Sequence, residues 1–228
     1  MSDQKRSVEA GAGSDRGYEL LSLDELDRLA TGSGSPLLLP LRRHLGFRSF
    51  GVNCWSAAEP GEHVIERHAE RSGDEELYVV VRGRASFTVE GESADAPAGT
   101  LVHVPPDTLR QAVAVDPDTL VLAVGARPGE PWQPKAWEDF YVAEGLRSQG
   151  RVDEARALVA QVLAGDPDAW QGHYNAACFE ALSGDRDAAL GHLADALARD
   201  RVEVRRVAVA DADLDALRDD PRFEELVG

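Results

Sequence analysis

Apolar positions along the chain change their rhythm twice. The first 17 residues, rich in Gly, Ser and charge, carry no apolar period, which predicts a mobile tail. In SLDELDRLA, starting at Ser22, Leu23, Leu26 and Leu29 fall within a turn of one another, and Ser22 and Glu25 have the spacing of a capping box. A short helix is predicted there, ended by GSGSP at 32–36. From about Phe47 to Gly125 the texture becomes short apolar stretches broken by Gly, Pro and Asp: SFGVNCW, HVIERHA, LYVVVRG, ASFTVEG, TLVHVPP and TLVLAVG. That pattern predicts a compact all-β domain. LYVVVRGRASFTVEG reads as two adjacent antiparallel strands turning between Arg82 and Arg84, with Gly83 supplying the permissive backbone and Gly91 closing the second strand.

Pro128, Pro131 and Pro134 disfavour regular structure in the stretch RPGEPWQPKAW, which predicts a linker. Beyond it the chain turns Ala- and Leu-rich with helical spacing, and it repeats. GRVDEARALVAQVLAGDP from Gly150 aligns with GDRDAALGHLADALARDR from Gly184 at an offset of 34 residues, placing Ala155 on Ala189 and Leu163 on Leu197. Small Ala residues at such a period let paired helices approach closely. The chain thus divides into a disordered tail (1–17), an N-terminal helix and connector (18–45), a β-barrel (46–126), a Pro-rich linker (127–136) and helical repeats with a C-terminal cap (137–228).

Composition narrows the classes of function. The formal charge is −17, from 41 acidic against 24 basic residues, which opposes binding to nucleic acid and to anionic membrane surfaces. Residues 136–228 hold 20 acidic and 10 basic side chains, about −10 of that total. A solvated acidic surface accounts for this, and so does docking of a basic partner segment. No run of about 18 uncharged apolar residues occurs and the N-terminus lacks the apolar core of a secretory signal, so a soluble cytoplasmic protein is expected. Cys54 and Cys178 lie far apart and predict buried apolar residues rather than a disulfide.

The helical repeat resembles the tetratricopeptide family. HYNAACFEALSG at 173–184 agrees with that family's first helix at Tyr174, Asn175 and Gly184, and Phe140, Tyr141 and SQG at 148–150 make a weaker first copy. DLDALRDDPRFEEL resembles the closing element found after such repeats, with Leu217 and Phe223 packing inward. The resemblance covers about 136–228 and implies docking of a protein partner. The β domain, over about 47–126, resembles the cupin superfamily, most strongly in EELYVVVRG at 75–83 and PAGTLVHVPPDTLR at 97–110. The fold expected is therefore an all-β, jelly-roll cupin-like barrel followed by an all-α tetratricopeptide-like repeat domain.

A metal-binding cupin brings two His and a carboxylate from its first block together with one His from its second, a donor set suited to a divalent transition metal with open positions. By this resemblance Glu76 stands at the carboxylate position and His68 at one His position, while Glu66 and Glu70 flank His68 where the other imidazole would be. Arg110 occupies the second-block His position, and a guanidinium is no ligand. Arg110 at the barrel mouth is expected to pair with Glu76 or Glu70, or to receive an anionic group of a bound molecule. His68, Glu70, Glu76 and Arg110 are the candidate ligand-binding residues. No metal cofactor is favoured; the alternative is iron, zinc or manganese on His68, Glu70 and Glu76, helped by His63 or His103. Strand alternation puts His68 and Glu70 on one face and His63 on the other.

His103, His173 and His192 read as packing, surface or satisfied interior residues, and Trp132, Trp137 and Trp170 as aromatic cement between domains. Catalytic residues are unassigned; no phosphate loop, Ser-His-Asp order or nucleophile elbow is present. The leading expectation is a non-metal module for a small polar or anionic ligand, joined to a protein-docking repeat in a regulatory or adaptor role. A metal-dependent isomerase or oxygenase and a purely structural oligomer scaffold are the alternatives. The cupin resemblance also implies a homodimer.

Overall fold

A computed structural model describes residues 19–31, 35–132 and 135–228, so the expected tail lies outside the described residues. By internal contacts the chain divides into two compact units, Met1–Lys135 and Ala136–Gly228. Among the described residues no helix is long and apolar enough to cross a membrane.

The first unit is built from β1 (Leu29–Ala30), β2 (Leu37–Leu39), a short helix α1 (Leu41–Leu45), β3 (Gly51–Ala57), β4 (His63–Ala69), β5 (Glu75–Arg82), β6 (Arg84–Val89), β7 (Glu92–Pro97), β8 (Leu101–Val104), β9 (Leu109–Ala114) and β10 (Thr119–Ala126). They form two antiparallel sheets, in the orders β1-β2-β3-β10-β5-β8 and β4-β9-β6-β7. Alternation along β5 and β9 sends Tyr78, Val80, Ala112 and Ala114 inward, where they meet Val64, Phe87, Val104 and Val121 in one apolar core. The rings of Tyr78 and Phe87 lie 5.7 Å apart within it.

Two expectations about this unit are corrected. The helix predicted from Ser22 is a single 3-10 turn, Leu23–Glu25, although its capping box is present. A nine-residue helix is marginal. Here Leu29 and Ala30 gain strand pairing with Leu38 and Leu37, and Leu26 is buried beside Cys54 and Leu120, which outweighs it. The strands on either side of Gly83 do not pair with each other. β5 lies between β10 and β8, whereas β6 lies between β9 and β7 in the other sheet. Gly83 is the corner where the chain changes sheets, with φ +71° and Thr119 packed against its Cα.

The second unit contains α2 (Ala136–Ser148), α3 (Val152–Gly165), α4 (Trp170–Ser183), α5 (Arg186–Arg199), α6 (Arg201–Ala208), a 3-10 turn Ala212–Leu217 and α7 (Pro221–Val227). α2 and α4 begin 34 residues apart, as do α3 and α5. Between α4 and α5 the chain reverses in two residues: Gly184 takes the left-handed conformation that closes α4, and the Asp185 carboxylate accepts from the Ala188 N–H to open α5. Ala177, Ala181, Ala189 and Ala196 keep this pair close, and Leu193, Leu214, Leu217 and Phe223 complete its core. Arg156 of α3 grips both carboxylate oxygens of Glu180 on α4 through its Nε and Nη2, at 2.7–3.1 Å. Cys54 and Cys178 are free and buried, and burial pushes the Cys54 thiol up to about 12.

A methyl group on Gly83 would lie 2.6 Å from Thr119 Oγ1 and 3.0 Å from its Cα, in a backbone region hostile to side chains. Gly83→Ala is expected to cost about 2–4 kcal/mol of stability. Gly91 also has positive φ but open space around it, so Gly91→Ala should cost only about 1–2 kcal/mol. Urea denaturation of the two variants measures the difference; equal losses would mean that the Thr119 contact constrains nothing.

Candidate functional site

At one end of the core, β4, β5 and β9 each contribute a polar side chain aimed inward. Glu76 precedes Tyr78 by two residues on β5 and so shares its face. On β9, Arg110 continues the buried row of Ala112 and Ala114, and it is 0% exposed. His68 of β4 is the register partner of Arg110. The structure thus assembles His68, Glu76 and Arg110 and adds Tyr78.

The four groups converge on one atom. Glu76 Oε2 accepts from Arg110 Nη2 at 2.5 Å and from the Tyr78 hydroxyl at 2.5 Å, and it lies 3.7 Å from His68 Nε2. The last distance makes an ion pair when His68 is protonated, not a hydrogen bond. Arg110 Nη1 donates to the Thr108 carbonyl at 2.8 Å, while its buried Nε has no hydrogen-bond partner among the described residues. His68 Nδ1 donates to the Glu66 carbonyl at 2.9 Å, which fixes the ring with Nε2 toward the carboxylate. The expected mouth-side Arg110 is therefore fully buried, and its pairing is with Glu76.

Protonation follows from these contacts. The Glu76 carboxylate, above all, raises the His68 pKa, helped by the Glu66 carbonyl, against opposing burial and the Arg110 charge. For Glu76 the largest influence is burial, which pushes the acid up. The contacts with His68 and Tyr78 and the Arg110 charge together outweigh it, so its pKa ends below the ordinary carboxylate value. Burial, with the neighbouring Glu76 charge, raises the Tyr78 phenol far enough to keep it a neutral donor.

The remaining candidates lie elsewhere. Glu70 accepts from the Ser72 N–H at 3.0 Å and sits 3.5 Å from Lys135 Nζ, which pairs more closely with Asp74 at 2.5 Å. Its charge serves the loop after β4. His103 is on the outer face of β8, 60% exposed and 3.4 Å from Glu75. His63 pairs in register with Val113, three residues along β9 from the partner of His68, or about 10 Å away. The register of β4 with β9 shifts twice, between His63 and Ile65 and between Ile65 and His68, yet the partners of His63 and His68 lie on opposite faces of β9, as the alternation expected for the two histidines requires. Tyr78 is absent from the expected ligand set, although its two-residue spacing from Glu76 on a strand places it on the same face.

Among the described residues, only His68 Nε2 and the second Glu76 oxygen are left to face a cation here, with a permanent guanidinium charge bonded to the same carboxylate. A divalent transition metal needs three or four such donors and no cation against them. The residues present do not fit the metal centre that the cupin resemblance implies.

The two antiparallel sheets around one apolar core, with the polar cluster among them, agree with a family match. Residues 55–124 match the Cupin domain. No curated protein matches the chain. Among solved structures, the cupin-like barrel is similar to KdgF from Halomonas sp. (20% identity, 48% of this chain and 90% of that chain, TM-score 0.39). It is also similar to a sugar phosphate isomerase from a cupin superfamily of Silicibacter pomeroyi DSS-3 (23% identity, 48% and 76%, TM-score 0.43). A third is described as a predicted oxalate decarboxylase of Thermotoga maritima (17% identity, 48% and 99%, TM-score 0.39).

Breaking the buried pair on one side should be costly. Arg110→Met leaves the Glu76 carboxylate buried without its cation and is expected to lose about 3–5 kcal/mol, most of it recovered in Arg110→Met/Glu76→Gln. Denaturation of the two single variants and the double variant gives the coupling energy; additive losses would contradict a direct interaction. The raised His68 pKa carries a pH signature. Its stabilisation is fully present below the ordinary imidazole pKa of about 6.5 and is lost as pH rises through the folded value. Stability of the unchanged chain should therefore fall across that window relative to His68→Gln, and parallel pH profiles would refute it.

Proposed function

We propose that this chain is a binding protein whose cupin-like barrel receives a small anionic molecule beside His68, and whose helical unit docks a protein segment, together giving an adaptor or regulatory role. The observation that carries this reading is the Arg110–Glu76 pair standing where metal donors are expected. With His68 protonated, two cations face one carboxylate, and the excess positive charge lies on the ring that reaches solvent, its side chain 39% exposed. A carboxylate or phosphate approaching His68 would meet charge complementarity without having to separate the buried pair.

For the helical unit, the tetratricopeptide reading draws support from the two helix pairs that begin 34 residues apart and from the burial of Leu217 and Phe223 over the end of the second pair. Two such pairs need a closing element to cover apolar surface, and α6, the 3-10 turn and α7 supply it. The charge of about −10 over 136–228 suits a basic partner segment.

The test combines metal analysis with calorimetry on the full chain. Small carboxylates and phosphates are expected to bind more weakly as pH rises through the His68 titration, with binding lost in His68→Gln. Any metal content should be the same in His68→Ala and Glu76→Ala as in the unchanged chain. Stoichiometric iron, zinc or manganese that disappears in those two variants would overturn the reading in favour of a metal-dependent enzyme.

A further inference from the structure

Away from the barrel, two imidazoles and a carboxylate meet between α4 and α5. His173, His192 and Asp195 each place a ligand atom within 4.8 Å of the other two. His192 and Asp195 stand three residues apart on one face of α5, and His173 reaches them from α4. The expectation that these histidines are surface or satisfied interior residues fails for both rings, since each has a buried Nδ1 with no hydrogen-bond partner among the described residues.

His173 is the more informative of the two. It is 8% exposed, and its Nε2 lies 3.0 Å from the Pro167 carbonyl. A carbonyl can only accept, so Nε2 carries the proton and Nδ1 of the neutral ring presents a lone pair. That lone pair faces Asp195 Oδ2 at 3.8 Å, too far for a hydrogen bond and with no donor between. A lone pair and a carboxylate oxygen opposed at a half-buried position are unfavourable unless a proton or a metal cation lies between them. An imidazole whose far N–H is held by a backbone carbonyl has the second-layer arrangement that orients metal-binding histidines. Arg199 lies 3.9 Å from the other oxygen, Oδ1, and leaves Oδ2 toward the histidines.

We propose that His173, His192 and Asp195 form a three-ligand site for a zinc-type divalent cation that ties α4 to α5. Two imidazole nitrogens and one carboxylate oxygen are a borderline donor set for which zinc competes well, and water completes four-coordination on the open side, where Asp195 is 59% exposed. Donor atoms around zinc stand roughly 3.4 Å apart, so closing the site takes a movement of about 1 Å, within reach of an exposed Asp side chain. Burial and the neighbouring His173 ring lower the His192 pKa, which favours the neutral form a ligand needs.

The experiment is titration of the chelator-treated full chain with zinc, followed by calorimetry and thermal unfolding, and with cobalt as a spectroscopic probe. One equivalent should bind with a rise in unfolding temperature, and cobalt should give the visible absorption of a tetrahedral centre. His192→Gln and Asp195→Asn should each weaken binding by roughly tenfold or more, whereas His68→Gln should bind as the unchanged chain does. Asp195→Asn alters an exposed side chain, so it decides the matter even where His192→Gln folds poorly. The proposal is overturned by absence of saturable one-to-one binding, by undiminished binding in Asp195→Asn, or by loss of binding in His68→Gln.

Discussion

A single carboxylate oxygen, Glu76 Oε2, organises the interior end of the barrel. A guanidinium with no exposure cannot be left uncompensated in an apolar core, and Glu76 is the partner that makes Arg110 tolerable there. Once that pair exists, the rest follows from it. The Tyr78 hydroxyl finds its acceptor, His68 is held close enough to feel the negative charge, and Glu76 stays ionised despite its burial. The same atom that satisfies these three groups has little left with which to hold a metal ion, so a structural necessity shapes what the site can bind.

How much of this is legible in the sequence depends on whether the cause is local. The all-β texture and the 34-residue period are local patterns, and the two sheets and the evenly spaced helix starts correspond to them. The spacing of Glu76 from Gly83 and the replacement of an imidazole by Arg110 are visible in the chain itself. Pairing of β5 with β6 was misread because Gly83 permits both a hairpin and a corner, and Thr119, distant in sequence, decides for the corner. The two register shifts between β4 and β9 are not legible for a similar reason: HVIERHA holds no marker such as Gly or Pro. Glu70 looked equivalent to Glu76 because Lys135, 65 positions further on, could not be seen as its partner.

The helical unit poses the opposite case. His173 and His192 sit on unremarkable Ala-rich helices, and nothing in their spacing sets them apart. Their interest comes from the tautomer imposed by the Pro167 carbonyl and from burial between α4 and α5, both of them consequences of tertiary packing. Where polar atoms end up unmatched is a property of the assembled unit, and it points to chemistry that composition conceals.

The location of the Arg110–Glu76 contact has a mechanical consequence. Glu76 belongs to the six-stranded sheet and both Arg110 and His68 to the four-stranded one, so this carboxylate ties the two layers together through two partners. Local opening that separates the sheets at this end has to break a charged contact as well as apolar packing, so it costs more than the loss of packing alone would.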